Sequence, residues 1–228
     1  MSVTFVTAFV SPKTAYRSRD AYIQNFTVLA NTGLPIYLFL EEPIAEIPAF
    51  PNVTVQYATL DRSWLPENPV LPANRNPNKD TLEYFCIQAW KMKCMSEASQ
   101  RVDTPYIAWV DFGIVHMLRN TDLAFDSLRK IALQAYPRDD KIYTPSCWSH
   151  SGPDIWNSVA WRFCGSFFLG HRSLFPEAYR RQSEIIRENL PKVTWEVNYW
   201  TCMEDMFLFY PADHNERLFT ELCDYVRP

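Results

Sequence analysis

At 228 residues, nearly half of them apolar and 15% aromatic, the chain holds enough hydrophobic material for one sizeable α/β domain spanning 1–228 and is short for two. A net charge of −4 argues against the basic stripe of a nucleic-acid binder, and among only five glycines there is neither a G-x-G-x-x-G nor a Walker A spacing. No run approaches the ~20 apolar residues of a membrane span, and the opening MSVTFVTAFVSPK lacks the basic and apolar regions of a secretory signal, so a cytoplasmic protein is expected.

VTFVTAFV, at the start, is a β-branched run that reads as a buried strand. RDAYIQNFTVLANTGLP follows as a helix, with apolar Ala21, Ile23, Phe26, Leu29 and Ala30, and stops at Gly33 and Pro35. PIYLFLE and NVTVQYA then read as a second and third core strand, giving the βαβ pattern of a mainly parallel sheet. Residues 61–78 hold four prolines and no periodicity; a loop that long inside a compact domain is often functional. KDTLEYFCIQAWKMKCMSEAS is a strong helix with an apolar stripe through Leu82, Phe85, Cys86 and Ala89 and a neighbouring face through Tyr84, Gln88, Lys91 and Met95.

PYIAWV is a strand that ends at Asp111. After a helix around LAFDSLRKIALQAY come a strand, KIYTPS, and an aromatic strand or strand pair, AWRFCGSFFLG, broken at Gly165 and Gly170. RSLFPEAYRRQSEIIRENL reads as a helix with a basic outer face, TWEVNYWTCMEDMFLFY as a helix with Thr194 at its N-cap, and HNERLFTELCDYV as the closing helix. The six cysteines show no CxxC and no zinc-finger spacing; they read as reduced, mostly buried thiols, with Cys94, in a less apolar context, the candidate for exposure.

Asp111-Phe112-Gly113 shares three letters with the magnesium motif of protein kinases, but the Gly-rich loop, strand lysine and H-R-D loop of a kinase are missing. Position is the better guide, because open α/β sheets bind ligands beyond the carboxyl ends of their parallel strands. A carboxylate there suits Mg²⁺ or Mn²⁺ on a diphosphate, with Gly113 allowing close backbone approach; the alternative is that Asp111 caps the next turn.

FVTAFV, TGLPIYLFLE, KDTLEYFCIQAWKMKCMSEA, YIAWVDFGIVHM, CGSFFLG, TWEVNYW and YPADHN, in that order, resemble a glycosyltransferase of the GT-A fold, and more narrowly the bacterial and viral HtrL/YibB-like group. The resemblance implies a single GT-A-like, Rossmann-like domain with a mixed, mainly parallel sheet flanked by helices. It also implies transfer of a sugar from a nucleoside-diphosphate sugar (a UDP- or GDP-sugar) to a carbohydrate acceptor, assisted by Mn²⁺ or Mg²⁺. The family's Asp-any-Asp motif is reduced here to Asp111, since position 113 is Gly, and His214 with neighbouring Asp213 matches the C-terminal His that reaches the same metal; His116 is a nearer alternative. Glu196 matches the acceptor base, with Glu204 and Asp205 as rivals further along the same expected helix. Thr7, Ala8 and Phe9 match the nucleotide-base site, and Gly165 and Ser166 the loop that cradles donor sugar and acceptor, where Phe167 and Phe168 either pack on a sugar face or place at least one ring in the core. Arg75, Lys79 and Lys91, with Arg162, are the cations available to a diphosphate.

Two other readings stay open. The incomplete Asp motif also fits a non-catalytic nucleotide-sugar or glycan binder on the same scaffold. A nucleotidyltransferase would carry a Gly-rich basic loop after the first strand, and SPKTAYRSRD is basic but lacks glycine.

Overall fold

The computed structural model describes residues 1–10, 18–148 and 154–226; most of the basic SPKTAYRSRD stretch lies outside them. Its centre is one seven-stranded sheet in the order β3-β2-β1-β4-β6-β5-β7. The strands are β1 (Val3–Phe9), β2 (Ile36–Leu40), β3 (Val53–Tyr57), β4 (Tyr106–Val110), β5 (Ile142–Ser146), β6 (Phe167–His171) and β7 (Phe207–Pro211). β3, β2, β1 and β4 run parallel, β6 runs antiparallel to both β4 and β5, and β7 returns parallel to β5. This is the α/β architecture with a mixed, mainly parallel sheet that the sequence leads one to expect.

Helices cover both faces, which is why the inner strands are apolar without alternation. Alternate residues serve opposite cores. Ile36, Leu38 and Leu40 of β2, with Ala108 and Val110 of β4, pack against α1 (Arg19–Ala30), α3 (Thr121–Leu133) and α6 (Arg217–Tyr225). Tyr37, Phe39, Ile107 and Trp109 face α2 (Leu82–Ser99), α4 (Phe175–Asn189) and α5 (Glu196–Thr201). Ser18 caps α1 and Thr81 caps α2, each accepting from a backbone N–H of the first turn. Gly33, at φ +75, makes the turn between α1 and β2 in a conformation that a side chain would strain.

Several expectations change. NVTVQYA forms the sheet edge rather than a core strand, with Val55 and Tyr57 exposed. Gly170 lies inside β6, opposite Ile107 and Ile142, and does not break it. Phe167 and Phe168 are both fully buried, one in each core, so neither faces a sugar. Cys94 is buried and Cys202 is the exposed thiol. The segment read as one long C-terminal helix breaks after six residues: α5 gives way to a short 3-10 turn at Glu204–Met206, and FLFYP becomes β7. Thr194 does not cap α5. Its hydroxyl donates to Ile155 O and accepts from Asn198 Nδ2, and Trp195 takes the N-cap position without a side-chain bond.

Candidate active site

A cleft of about 570 Å³ opens beyond the carboxyl ends of β1 and β4. Ala8, Phe9 and Val10 line it from the end of β1, and Asp111, Phe112 and Gly113 from the end of β4. α2 supplies one wall through Tyr84, Gln88 and Lys91, the helix face that the i, i+4, i+7 spacing sets beside the apolar stripe. The other wall is Gly165 and Ser166, then Glu196 from the first turn of α5, with His214 after β7.

The centre of the cleft is an ammonium held between two carboxylates. Lys91 Nζ lies 2.9 Å from Glu196 Oε1 and 3.1 Å from Asp111 Oδ1, and donates to Gly165 O at 2.9 Å. Its three N–H donors therefore meet three oxygens, which is what a buried lysine needs. The Lys91 and Glu196 side chains are only 5% and 6% exposed, whereas Asp111 is 32% exposed toward the cleft. Burial works against the Lys91 charge, but the Asp111 and Glu196 carboxylates outweigh it and hold its pKa above the ordinary lysine value. Trp109 Nε1 donates to the same Asp111 Oδ1 at 2.7 Å, and the Asp111 backbone N–H donates to Ser166 O at 3.0 Å, tying the end of β4 to the opposite wall. Tyr84, also on the cleft, has its phenol pushed well up by burial and by the Glu196 and Asp111 charges.

Two glycines make these approaches sterically feasible. A Cβ on Gly165 would stand 2.2 Å from Glu196 Oε1 and 3.1 Å from Val197 Cγ1, so only glycine admits the carboxylate against this loop. A Cβ on Gly113 would meet the Tyr22 ring at 2.9 Å. At the end of β1, Phe9 stacks on Phe112 with centroids 4.5 Å apart, and Phe112 on Phe26 at the same spacing.

Of the residues expected from the sequence, Ala8, Phe9, Lys79, Lys91, Asp111, Gly113, Gly165, Ser166, Glu196 and His214 meet at this cleft, and His116 joins them with its Nδ1 on Gly113 O. Three do not. Thr7 is fully buried in β1 with no partner for its hydroxyl oxygen, one residue short of the cleft. Arg75 turns back to Pro72 O at 3.1 Å. Asp205 lies past the end of α5, its carboxylate held on both oxygens by Arg181 at 2.7 Å. Arg162 pairs with Glu204 at 3.5 Å and lies over the Phe209 ring. Tyr22, Trp109 and Trp161 were not expected as cleft residues, and aromatic content alone does not distinguish a cleft wall from a core.

His214 has company other than Asp111. Its ring meets Trp161 edge-on at 4.9 Å, and its nitrogen lies within 4.8 Å of the Cys147 and Cys164 sulfurs, which are as close to each other. Cys147 and then His214 hold the Cys164 thiol well below its usual pKa against the pull of burial, and contact with Cys164 raises His214. The divalent ion of a GT-A enzyme calls for hard oxygen ligands, with one imidazole tolerated. Here Asp111 is one carboxylate with Oδ1 already occupied by Lys91 and Trp109, and His214 stands against sulfur; among the described residues no carboxylate joins a three-ligand group. That donor set does not fit a hard divalent cation.

No family model matches the chain, and no curated protein matches it. Among solved structures, a glycosyltransferase involved in glycosylation of the major capsid of PBCV-1 aligns over 93% of this chain and 82% of its own, at 10% identity and a TM-score of 0.49. The bifunctional IspDF of Campylobacter jejuni aligns over 93% of this chain and half of its own, at 9% identity and 0.46. HddC of Yersinia pseudotuberculosis aligns over both full lengths at 8% identity and 0.36. At these identities and scores the likenesses bear on neither substrate nor residue roles.

Proposed function

We propose that the chain is a glycosyltransferase that moves a sugar from a nucleoside-diphosphate sugar to a carbohydrate hydroxyl, grouped with the HtrL/YibB-like proteins on the order of its motifs alone. The observation that carries the reading is Lys91 clamped between Asp111 and Glu196 in the cleft at the strand ends. The donor base lies along Ala8, Phe9 and Val10, and the sugar reaches Gly165 and Ser166, which places the anomeric carbon near Glu196. One Glu196 oxygen is fixed by Lys91. The other accepts the proton of the acceptor hydroxyl as the new glycosidic bond forms. Lys79, at the rim of the cleft, offsets charge on the departing diphosphate, while Lys91 holds Glu196 in place. No step is assigned to a metal, because Asp111 and His214 lack a third hard ligand.

A second reading, a nucleotide-sugar binder without turnover, draws on the burial of Glu196 and on its engagement by Lys91. A thermal-shift screen of nucleoside diphosphates and their sugars, with and without Mn²⁺, tests what both readings share. Stabilisation by a UDP or GDP series without added metal is expected. Binding that requires Mn²⁺ and vanishes in Asp111→Asn would restore the metal to the site, and no response to any nucleotide would remove both readings.

A further inference from the structure

Cys147, Cys164 and His214 come from three separate stretches of chain, and main-chain bonds splint those stretches together. Cys147 directly follows β5, Cys164 immediately precedes the Gly165-Ser166 wall, and His214 follows β7. Cys164 N–H donates to Pro145 O at 2.9 Å, Trp148 N–H to Trp161 O at 2.9 Å, and Ala212 N–H to Ser146 O at 3.2 Å. Main-chain bonds therefore hold the ends of β5 and β7 and residues 161–164 together. The ligand atoms lie within 4.8 Å of one another without any ion to draw them in. Tetrahedral Zn²⁺, with bonds of about 2.3 Å to sulfur and 2.0–2.1 Å to nitrogen, asks for ligand separations of roughly 3.5–3.8 Å. Small side-chain rotations cover that difference.

We propose that Cys147, Cys164 and His214 form a binding site for a thiophilic divalent cation, Zn²⁺, distinct from the carboxylate–lysine cluster. Two thiolates balance the charge of the ion and one imidazole completes three protein ligands, leaving a fourth position for water or a small ligand. The thiols release their protons to solvent on binding, with no change of oxidation state. Soft sulfur donors exclude Mg²⁺ and disfavour Mn²⁺. Cys147 is half-buried and His214 exposed, so the ion has a path in, while buried Cys164 anchors it. The other buried thiols, Cys86, Cys94 and Cys223, belong to no such group among the described residues.

The test uses the full chain, reduced and freed of metal under anaerobic conditions, then titrated with Zn²⁺ against a chromophoric chelator and separately with Co²⁺. One equivalent of Zn²⁺ retained against the chelator, and the intense charge-transfer and ligand-field bands of tetrahedral thiolate-bound Co²⁺, are expected. Cys147→Ser and His214→Ala should each weaken retention at least tenfold, while Cys86→Ser and Cys202→Ser should not. Cys147 and His214 lie toward the surface, so circular dichroism can verify that their variants are folded, even if Cys164→Ser is not. A reduced wild type that yields its metal to the chelator, or retention indifferent to Cys147 and His214, would overturn the site. So would a protein whose two thiols form only a disulfide and which, once reduced, binds no metal. None of these readings depends on glycosyl transfer, so the two proposals fail separately.

Discussion

Lys91 shows most clearly how far residue type can mislead. A lysine on a helix ordinarily reads as a solvated charge, and its place beside Tyr84 and Gln88 hints at the cleft only through helical spacing. The structure buries it because Asp111, Glu196 and Gly165 O meet all three of its protons. Lys91→Met leaves a nearly buried Glu196 carboxylate without its counter-ion, and a loss of about 3–5 kcal/mol in urea unfolding is expected. Adding Glu196→Gln should return part of that loss, since the stranded charge is then gone. Wild-type stability in Lys91→Met would contradict the clamp. The pH dependence has a definite sign: the folded-state pKa of Lys91 is raised, so its contribution is complete below the unfolded lysine value of ~10.4 and fades as pH climbs beyond it through the folded value. Lys91→Met should lack that alkaline component. Thr7 makes the opposite case: a polar residue where the nucleotide base was expected, yet buried with its hydroxyl oxygen unpartnered. Thr7→Val should be neutral or stabilising in thermal unfolding and should leave nucleotide binding unchanged.

At the scale of elements, strands that feed the cleft were legible and the turns that aim its side chains were only partly so. β1, β2 and β4 announce themselves as continuous apolar runs because helices cover both faces of the sheet. β7 was hidden, because FLFY continues the apolar character of α5 and nothing in MED looks like a helix stop. That missed break is what made Asp205 a rival to Glu196: along one unbroken helix it would sit nearby, whereas the chain turns first and Arg181 takes it. Gly165 was legible as a loop residue but not for its reason. Its missing Cβ is the space into which the Glu196 carboxylate fits. Gly165→Ala should therefore displace Glu196 by about an ångström and lower turnover on the order of 10²-fold with the fold retained. Gly33→Ala is the control: φ +75 with open space around it predicts a stability cost of about 1–2 kcal/mol and unchanged turnover. Equal turnover in the two variants would mean that the loop does not set the Glu196 position.

For the whole molecule, the sheet with its carboxyl-end cleft follows from strand–helix–strand patterning, and the placement of Asp111 at its rim follows from where an apolar strand stops. The partners of Asp111 did not follow. Lys91 and Glu196 are 105 residues apart in sequence, and His214 reaches the cleft in the company of thiols from two other segments. Long-range pairings of this kind leave no periodic trace in a single chain. Among the described residues no helix is long and apolar enough to cross a membrane, in keeping with the composition. The proposed function requires this cleft to transfer a sugar with Glu196 at the acceptor. The most direct measurement is product formation from UDP- and GDP-sugars with carbohydrate acceptors, comparing wild type with Glu196→Gln at matched nucleotide-binding affinity. A transferred sugar is expected in the wild type and a loss of turnover of about 10²–10⁴-fold in the variant, with donor binding kept. Undiminished transfer by Glu196→Gln, or donor binding with no transfer by the wild type, would contradict it.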